Sequence, residues 1–219
     1  MQTSKSVYSV VLNDEVVAAI DQLAASEGTS RSGLIERILA RYAGCDTPAQ
    51  RMSDILGCIE QMADIEQQFR LLFNPSAALL QLKSAIPYKY NPTVKYAVEL
   101  YPDRTGALGE LRVTLRSQSR PLLEEMGRFF LLWTHLEEHF FVDGAFLSYQ
   151  LSEGRFSRIL RMVPDCTNEE LGGAIAEYIK LFDRVMRRYF SALRQGQREA
   201  QNAAAESFSS ALTKVVARL

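Results

Sequence analysis

The chain has 219 residues, 47% of them hydrophobic and 23% charged, which is enough to bury a core and excludes a disordered chain. Lys and Arg number 25 against 26 Asp and Glu, a formal charge of −1, so any argument for nucleic acid must rest on a local feature. No run approaches the ~18 uninterrupted apolar residues of a membrane span. Residues 1–6 lack the basic-then-apolar pattern of a signal peptide. Cys45, Cys58 and Cys166 are odd in number and widely spaced. They argue against a disulfide framework and a cysteine-built zinc site, and lead us to expect a cytoplasmic protein.

The chain begins with a short β-branched stretch, Ser6-Val7-Tyr8-Ser9-Val10-Val11-Leu12, which reads as a strand. It runs into Asn13-Asp14-Glu15, where Asn13 can cap a helix and the two acids meet the positive end of its dipole. That helix carries Val16, Ile20, Leu23 and Ala24 on one face and stops at Gly28. Ser30 caps a second helix, with Leu34, Ile35, Ile38, Leu39 and Tyr42 as its apolar set and Gly44 at its end. Turn-rich residues 45–50 read as a linker. The expected organisation is therefore a domain over 1–44, a linker over 45–50 and a larger domain over 51–219.

In the second part, residues 48–73 read as one long helix with a stripe of Met52, Ile55, Ile59, Met62, Ile65, Phe69 and Leu72. The stripe fits a core helix, with a dimerising coiled coil as the alternative. A shorter helix is expected over 76–85, ended by Pro87. Residues 93–101 alternate with period two through Val94, Tyr96, Val98 and Leu100, and 110–116 alternate through Leu111, Val113 and Leu115. Together they predict an antiparallel hairpin. A helix follows over 121–140. Ser152-Glu153-Gly154-Arg155 suggests the turn of a second hairpin, and Thr167 with Glu170 makes a capping-box signature for another helix. Residues 195–210 read as a helical or frayed tail. The fold class expected is mainly α with a small β component, the larger domain being α+β and mostly helical with a β-hairpin.

One strand and two amphipathic helices enclose too little apolar area to close a core alone. The strand has no mate in its own segment, and an unpaired edge must be satisfied. A twofold dimer meets both needs: two strands pair antiparallel and four helices interlock. Such a two-stranded ribbon fits the DNA major groove and presents alternate side chains to base edges.

The segment 7–42 resembles a ribbon-helix-helix domain of the CopG/MetJ/Arc type. The residues that carry the resemblance are the strand ending in Leu12, Asn13-Asp14-Glu15-Val16, Ile20, Leu23-Ala24, and Gly28-Thr29-Ser30-Arg31-Ser32 before Ile35 and Ile38. The resemblance covers about a fifth of the chain and says nothing of the rest. It implies that Val7, Ser9 and Val11 face the bases, with Tyr8, Val10 and Leu12 inward. It also implies phosphate contacts from Lys5, Ser30, Arg31 and Ser32, the second helix offering backbone N–H groups at its N-terminus. The family favours Arg, Lys, Thr, Asn or Gln at the base-facing sites, whereas here Ser9 supplies one hydrogen bond and the valines can touch thymine methyls. This segment carries Lys5, Arg31, Arg37 and Arg41 against Asp14, Glu15, Asp21, Glu27 and Glu36. Phosphate affinity must come from placement rather than bulk charge.

Both histidines lie in His135-Leu136-Glu137-Glu138-His139, the H-x-x-E-H spacing of some zinc proteases, with Glu138 as the base. Neither Glu199 nor Glu206 offers a motif-supported third ligand. His135 and His139, the candidate metal ligands, are expected to be structural at the edge of an amphipathic helix. Lys180, Arg184, Arg187, Arg188, Arg194 and Arg198 form a basic run that reads as a solvated face opposite an apolar stripe. No glycine-rich nucleotide loop and no nucleophile elbow is present, so no enzyme activity, metal or cofactor is expected.

These residues predict a bacterial, cytoplasmic, homo-oligomeric protein that binds double-stranded DNA in a sequence-specific manner, as a transcriptional repressor. A protein partner of the C-terminal domain is expected, and no membrane. One alternative is an accessory protein of plasmid transfer or partition. Another, from a different class, is an interaction module that dimerises without binding DNA.

Overall fold

Asn13 starts the first helix. Its backbone is extended (φ −66°, ψ 141°), and its side chain accepts a hydrogen bond from the Glu15 N–H at 3.0 Å. Helix α1 (Asp14–Ser26) follows, and Gly28 in the left-handed region (φ +63°) turns the chain into α2 (Arg31–Tyr42). The computed structural model describes residues 7–44, 47–65, 67–72, 76–102, 106–140, 148–161 and 166–212. The chain divides into two compact units, 1–51 and 52–219.

The next helix, α3 (Pro48–Ile65), begins inside the segment expected to be linker, with Thr47 Oγ1 accepting from the Gln50 N–H at 3.1 Å. Pro at the first helical position gives up only a donor the helix could not use. The helix stops at Ile65 rather than running to residue 73, and Phe69 reaches the core from beyond its end. Ile55, Ile59 and Met62 are buried in the second unit's own core, so the stripe is consumed internally.

The larger unit is a sheet-rich α+β domain rather than a mostly helical one. Its strands are β1 (Arg70–Leu71), β2 (Leu79–Ala85), β3 (Thr93–Leu100), β4 (Ala107–Leu115), β5 (Tyr149–Ser152) and β6 (Arg155–Arg161). They form one six-stranded sheet in the order β1-β2-β3-β4-β6-β5, antiparallel throughout. The hairpin expected over 93–116 is β3–β4, and the second is β5–β6. Gly154 (φ +66°) makes the latter's turn, where a Cβ would stand 2.5 Å from the Leu115 carbonyl oxygen. Residues 79–85, expected as helix, form β2.

Between β4 and β5 runs α4 (Arg120–Phe140), and α5 (Asn168–Ala192) follows β6. The capping box read from Thr167 and Glu170 is present in both directions, at 3.2 and 2.8 Å. A short 3-10 turn (Leu193–Gln195) leads to α6 (Gln197–Ala211), where the tail read as helical or frayed buries Ala200, Ala204 and Phe208.

Helices occupy one face of the sheet. Phe182 of α5 meets Tyr96 of β3 and Phe156 of β6, while Phe129 and Trp133 of α4 pack on Phe182. Gly172 lets α3 and α5 approach closely, since a Cβ there would lie 2.7 Å from the Ile55 carbonyl oxygen. The opposite face carries Lys83, Lys95, Glu99, Glu110, Arg112, Thr114 and Arg155, all half-buried or exposed.

Candidate nucleic-acid interface

Residues 7–12 enter no strand ladder of this chain among the described residues. Their exposure alternates: Val7 and Val11 are 99% exposed, against 84% for Tyr8, 67% for Val10 and 39% for Leu12. Ser9 is also exposed. All six residues are exposed, and Leu12 is the least exposed of the apolar ones. Lys5 lies outside the described residues.

The two helices bury little by themselves. Ala24 and Leu34 are buried, whereas Val16, Leu23, Ile38, Leu39 and Tyr42 are exposed. Large apolar side chains concentrated this way on so short a segment mark a contact surface. Covering each half-exposed one is worth on the order of 1 kcal/mol, and a segment of this size depends on such help to stay folded.

The start of α2 gathers hydrogen-bond donors. Ser30 Oγ accepts from the Gly33 N–H at 3.1 Å, and the Ser30 carbonyl accepts from Leu34 at 2.9 Å. Helix geometry leaves the N–H groups of Arg31 and Ser32 without intrahelical partners. The Ser30 and Ser32 hydroxyls hydrogen-bond to each other at 3.2 Å at the same end, which leaves two N–H groups and one O–H as donors for a phosphate oxygen there.

Arg31 is not idle. Its Nε donates to Asp21 Oδ1 at 2.6 Å, and its Nη2 pairs with Asp21 Oδ2. These hydrogen bonds hold the Asp21 carboxyl below its usual range and push the guanidinium up. Arg37 pairs with Glu27 across the same two helices. Both pairs are solvent-exposed, so a phosphate can compete for either cation. The sequence suggested Arg31 as a phosphate ligand but gave no sign of this competitor, ten residues away.

His135, Glu138 and His139 are all exposed on α4. Among the described residues, no three His, Cys, Asp or Glu side chains gather to hold a metal. The buried acid of that stretch is Glu137, which sequence reading passed over. It faces Arg158 of β6 at 3.5 Å, and the Arg158 guanidinium lies 4.5 Å from the centre of the Tyr178 ring. Burial pushes the Glu137 carboxyl up, against the pull of Arg158. A second buried acid, Asp183, accepts from Tyr96 at 2.8 Å and Ser84 at 2.5 Å. Burial, with Asp183 beside it, pushes the Tyr96 phenol well above its usual range. In the basic run, Lys180 pairs with Glu177 at 2.8 Å, Arg187 donates to the Ala85 carbonyl at 2.9 Å, and Arg184 and Arg188 are exposed.

A helix pair capped at Asn13 and Ser30, preceded by a segment that joins no strand ladder among the described residues, is the outline of a ribbon-helix-helix subunit. Residues 9–44 match the family model of the ribbon-helix-helix protein, copG family. That family comprises DNA-binding regulators that dimerise, which is the role the match supports for this segment. The match closes at Gly44 (φ +66°), where α2 gives way to a turn. No curated protein and no solved structure matches the chain. No helix among the described residues is long and apolar enough to cross a membrane.

Proposed function

We propose that this chain is a sequence-specific DNA-binding repressor, a bacterial cytoplasmic homodimer acting by binding rather than catalysis. Residues 7–12 of two subunits pair as an antiparallel ribbon and enter the major groove. Val7, Ser9 and Val11 face the bases, and Ser30, Arg31 and Ser32, with Lys5, hold the flanking phosphates. The observation that carries this reading is the exposed segment 7–12, in no ladder among the described residues, ahead of the helix pair that the family model matches. The sheet domain serves oligomerisation, effector sensing or a protein partner. A specific observation also favours a second reading: Val7 and Val11 form an open apolar face, which suits docking of a partner protein in place of DNA.

Footprinting on genomic fragments tests the proposal. A repressor protects palindromic half-sites, a transfer or partition accessory protein protects arrays at an origin, and an interaction module protects nothing. Arg31→Ala weakens binding to every duplex and lowers the salt slope by about 1. Asp21→Asn releases Arg31 from its competitor and tightens binding on the order of a few-fold. Unchanged binding in both variants would remove Arg31 from the interface.

A further inference from the structure

The solvent face of the sheet carries a like-charged row that its own fold does not explain. Directly opposed residues in an antiparallel sheet point to one face, and the register sets Arg70, Lys83, Lys95, Thr114, Arg155 and Ser152 side by side across the six strands. Four of these are cations and none is an acid. Arg70 opposes Lys83, and Lys83 opposes Lys95; like charges in directly opposed positions destabilise a sheet.

Neighbouring acids on this face are already occupied. Glu99 and Glu110 pair with Arg112, at 2.5 and 3.5 Å. Among the described residues, none of the four cations in the row makes an ion pair or a side-chain hydrogen bond. Arg70 and Arg155 are exposed, and the two lysines half-buried. In a chain of net charge −1, positive charge has been gathered here at a cost to stability.

We infer that this row is a second DNA-contacting surface, one that binds the duplex phosphate backbone without regard to sequence. Four strand spacings separate Arg70 from Arg155, about 19 Å, a length over which the two strands of a duplex together carry roughly eleven phosphates. The next row, Gln81, Ala97, Arg112, Ser157 and Gln150, supplies no aromatic ring on which single-stranded bases could stack. It also has no large apolar side chain to enter a bilayer. Duplex is the polyanion of choice because this rests on the reading of the N-terminal segment as a duplex-binding module.

The test compares the full-length wild type, K83Q/K95Q and R31A on a random-sequence duplex of about 30 bp, between about 50 and 200 mM salt. K83Q/K95Q should lower the log–log salt slope by about 2, so that its affinity falls roughly twelvefold less than that of the wild type over this range. Its melting temperature should be unchanged or higher, because a repulsion is removed. If the N-terminal reading fails alone, R31A binds like the wild type while K83Q/K95Q still loses slope. An unchanged slope in K83Q/K95Q overturns the sheet proposal alone, and no duplex binding by the wild type at low salt overturns both. Loss of binding to phosphatidylserine vesicles in K83Q/K95Q, with duplex binding intact, would also overturn it.

Discussion

Leu12→Asp yields a monomer of 24.7 kDa in sedimentation equilibrium and weakens duplex binding by about a hundredfold or more. Leu12, 39% exposed, is the least exposed apolar residue of segment 7–12. In the proposed dimer it lies between the ribbon and the four helices, where an unpaired carboxylate costs several kcal/mol. A monomer can engage only one half-site, and losing the link between two sites removes a factor of about 10²–10⁴. The sheet domain is a separate compact unit, so its unfolding transition should not move. A variant that sediments at twice the subunit mass and binds normally would show that Leu12 does not face a partner.

The second large effect lies in the sheet domain. Glu137→Ala leaves the Arg158 guanidinium buried without its carboxylate, and breaking a buried pair from one side costs about 3–5 kcal/mol. The chain has a single tryptophan, Trp133, and it reports this region directly. Its ring lies 4.5 Å from Phe182 and its Nε1 donates to the Tyr178 hydroxyl at 3.0 Å. Urea unfolding followed by Trp133 fluorescence should shift to lower urea by about 2 M. The double variant Glu137→Leu/Arg158→Met should recover most of the loss, because apolar packing replaces both charges together. If Glu137→Ala unfolds at the wild-type midpoint, the pair carries no stability.

Local chemistry made the helix ends of this chain legible. Asn13, Ser30, Thr167 with Glu170, and Gly28 each solve a hydrogen-bonding or φ requirement within a few residues, so their roles can be read without knowing what packs around them. The β3–β4 hairpin was equally plain, since Val94, Tyr96, Val98, Leu111 and Val113 alternate cleanly. Strand β2 was not. Its run Leu79-Leu80-Gln81-Leu82-Lys83-Ser84-Ala85 is rich in helix formers, with a leucine on the solvent side and a serine on the core side. Ser84 is tolerated there only because Asp183, 99 residues further on, accepts its hydrogen bond.

The same limit hid Glu137 and Arg158. A charge at a helix or strand position reads as solvent-facing until its partner is known, and these two meet only when β6 inserts next to β4 beneath α4. The histidine spacing points to Glu138, which is exposed, rather than to its buried neighbour. In the N-terminal segment, the sequence placed Ser30, Arg31 and Ser32 at a helix start but could not show that Asp21 already holds Arg31. The basic row of the sheet was invisible for a simpler reason: its members come from separate strands and align only through register.

Backbone hydrogen exchange of residues 7–12 in the full-length protein addresses the central claim most directly. Within one subunit these amides enter no strand ladder among the described residues, so the account assigns their protection to a second copy. Above the dimer dissociation constant, alternate amides of this segment should exchange about a hundredfold or more slower than in an unfolded chain, and dilution should abolish the difference. Fast exchange of all of them at every concentration would contradict an intersubunit ribbon.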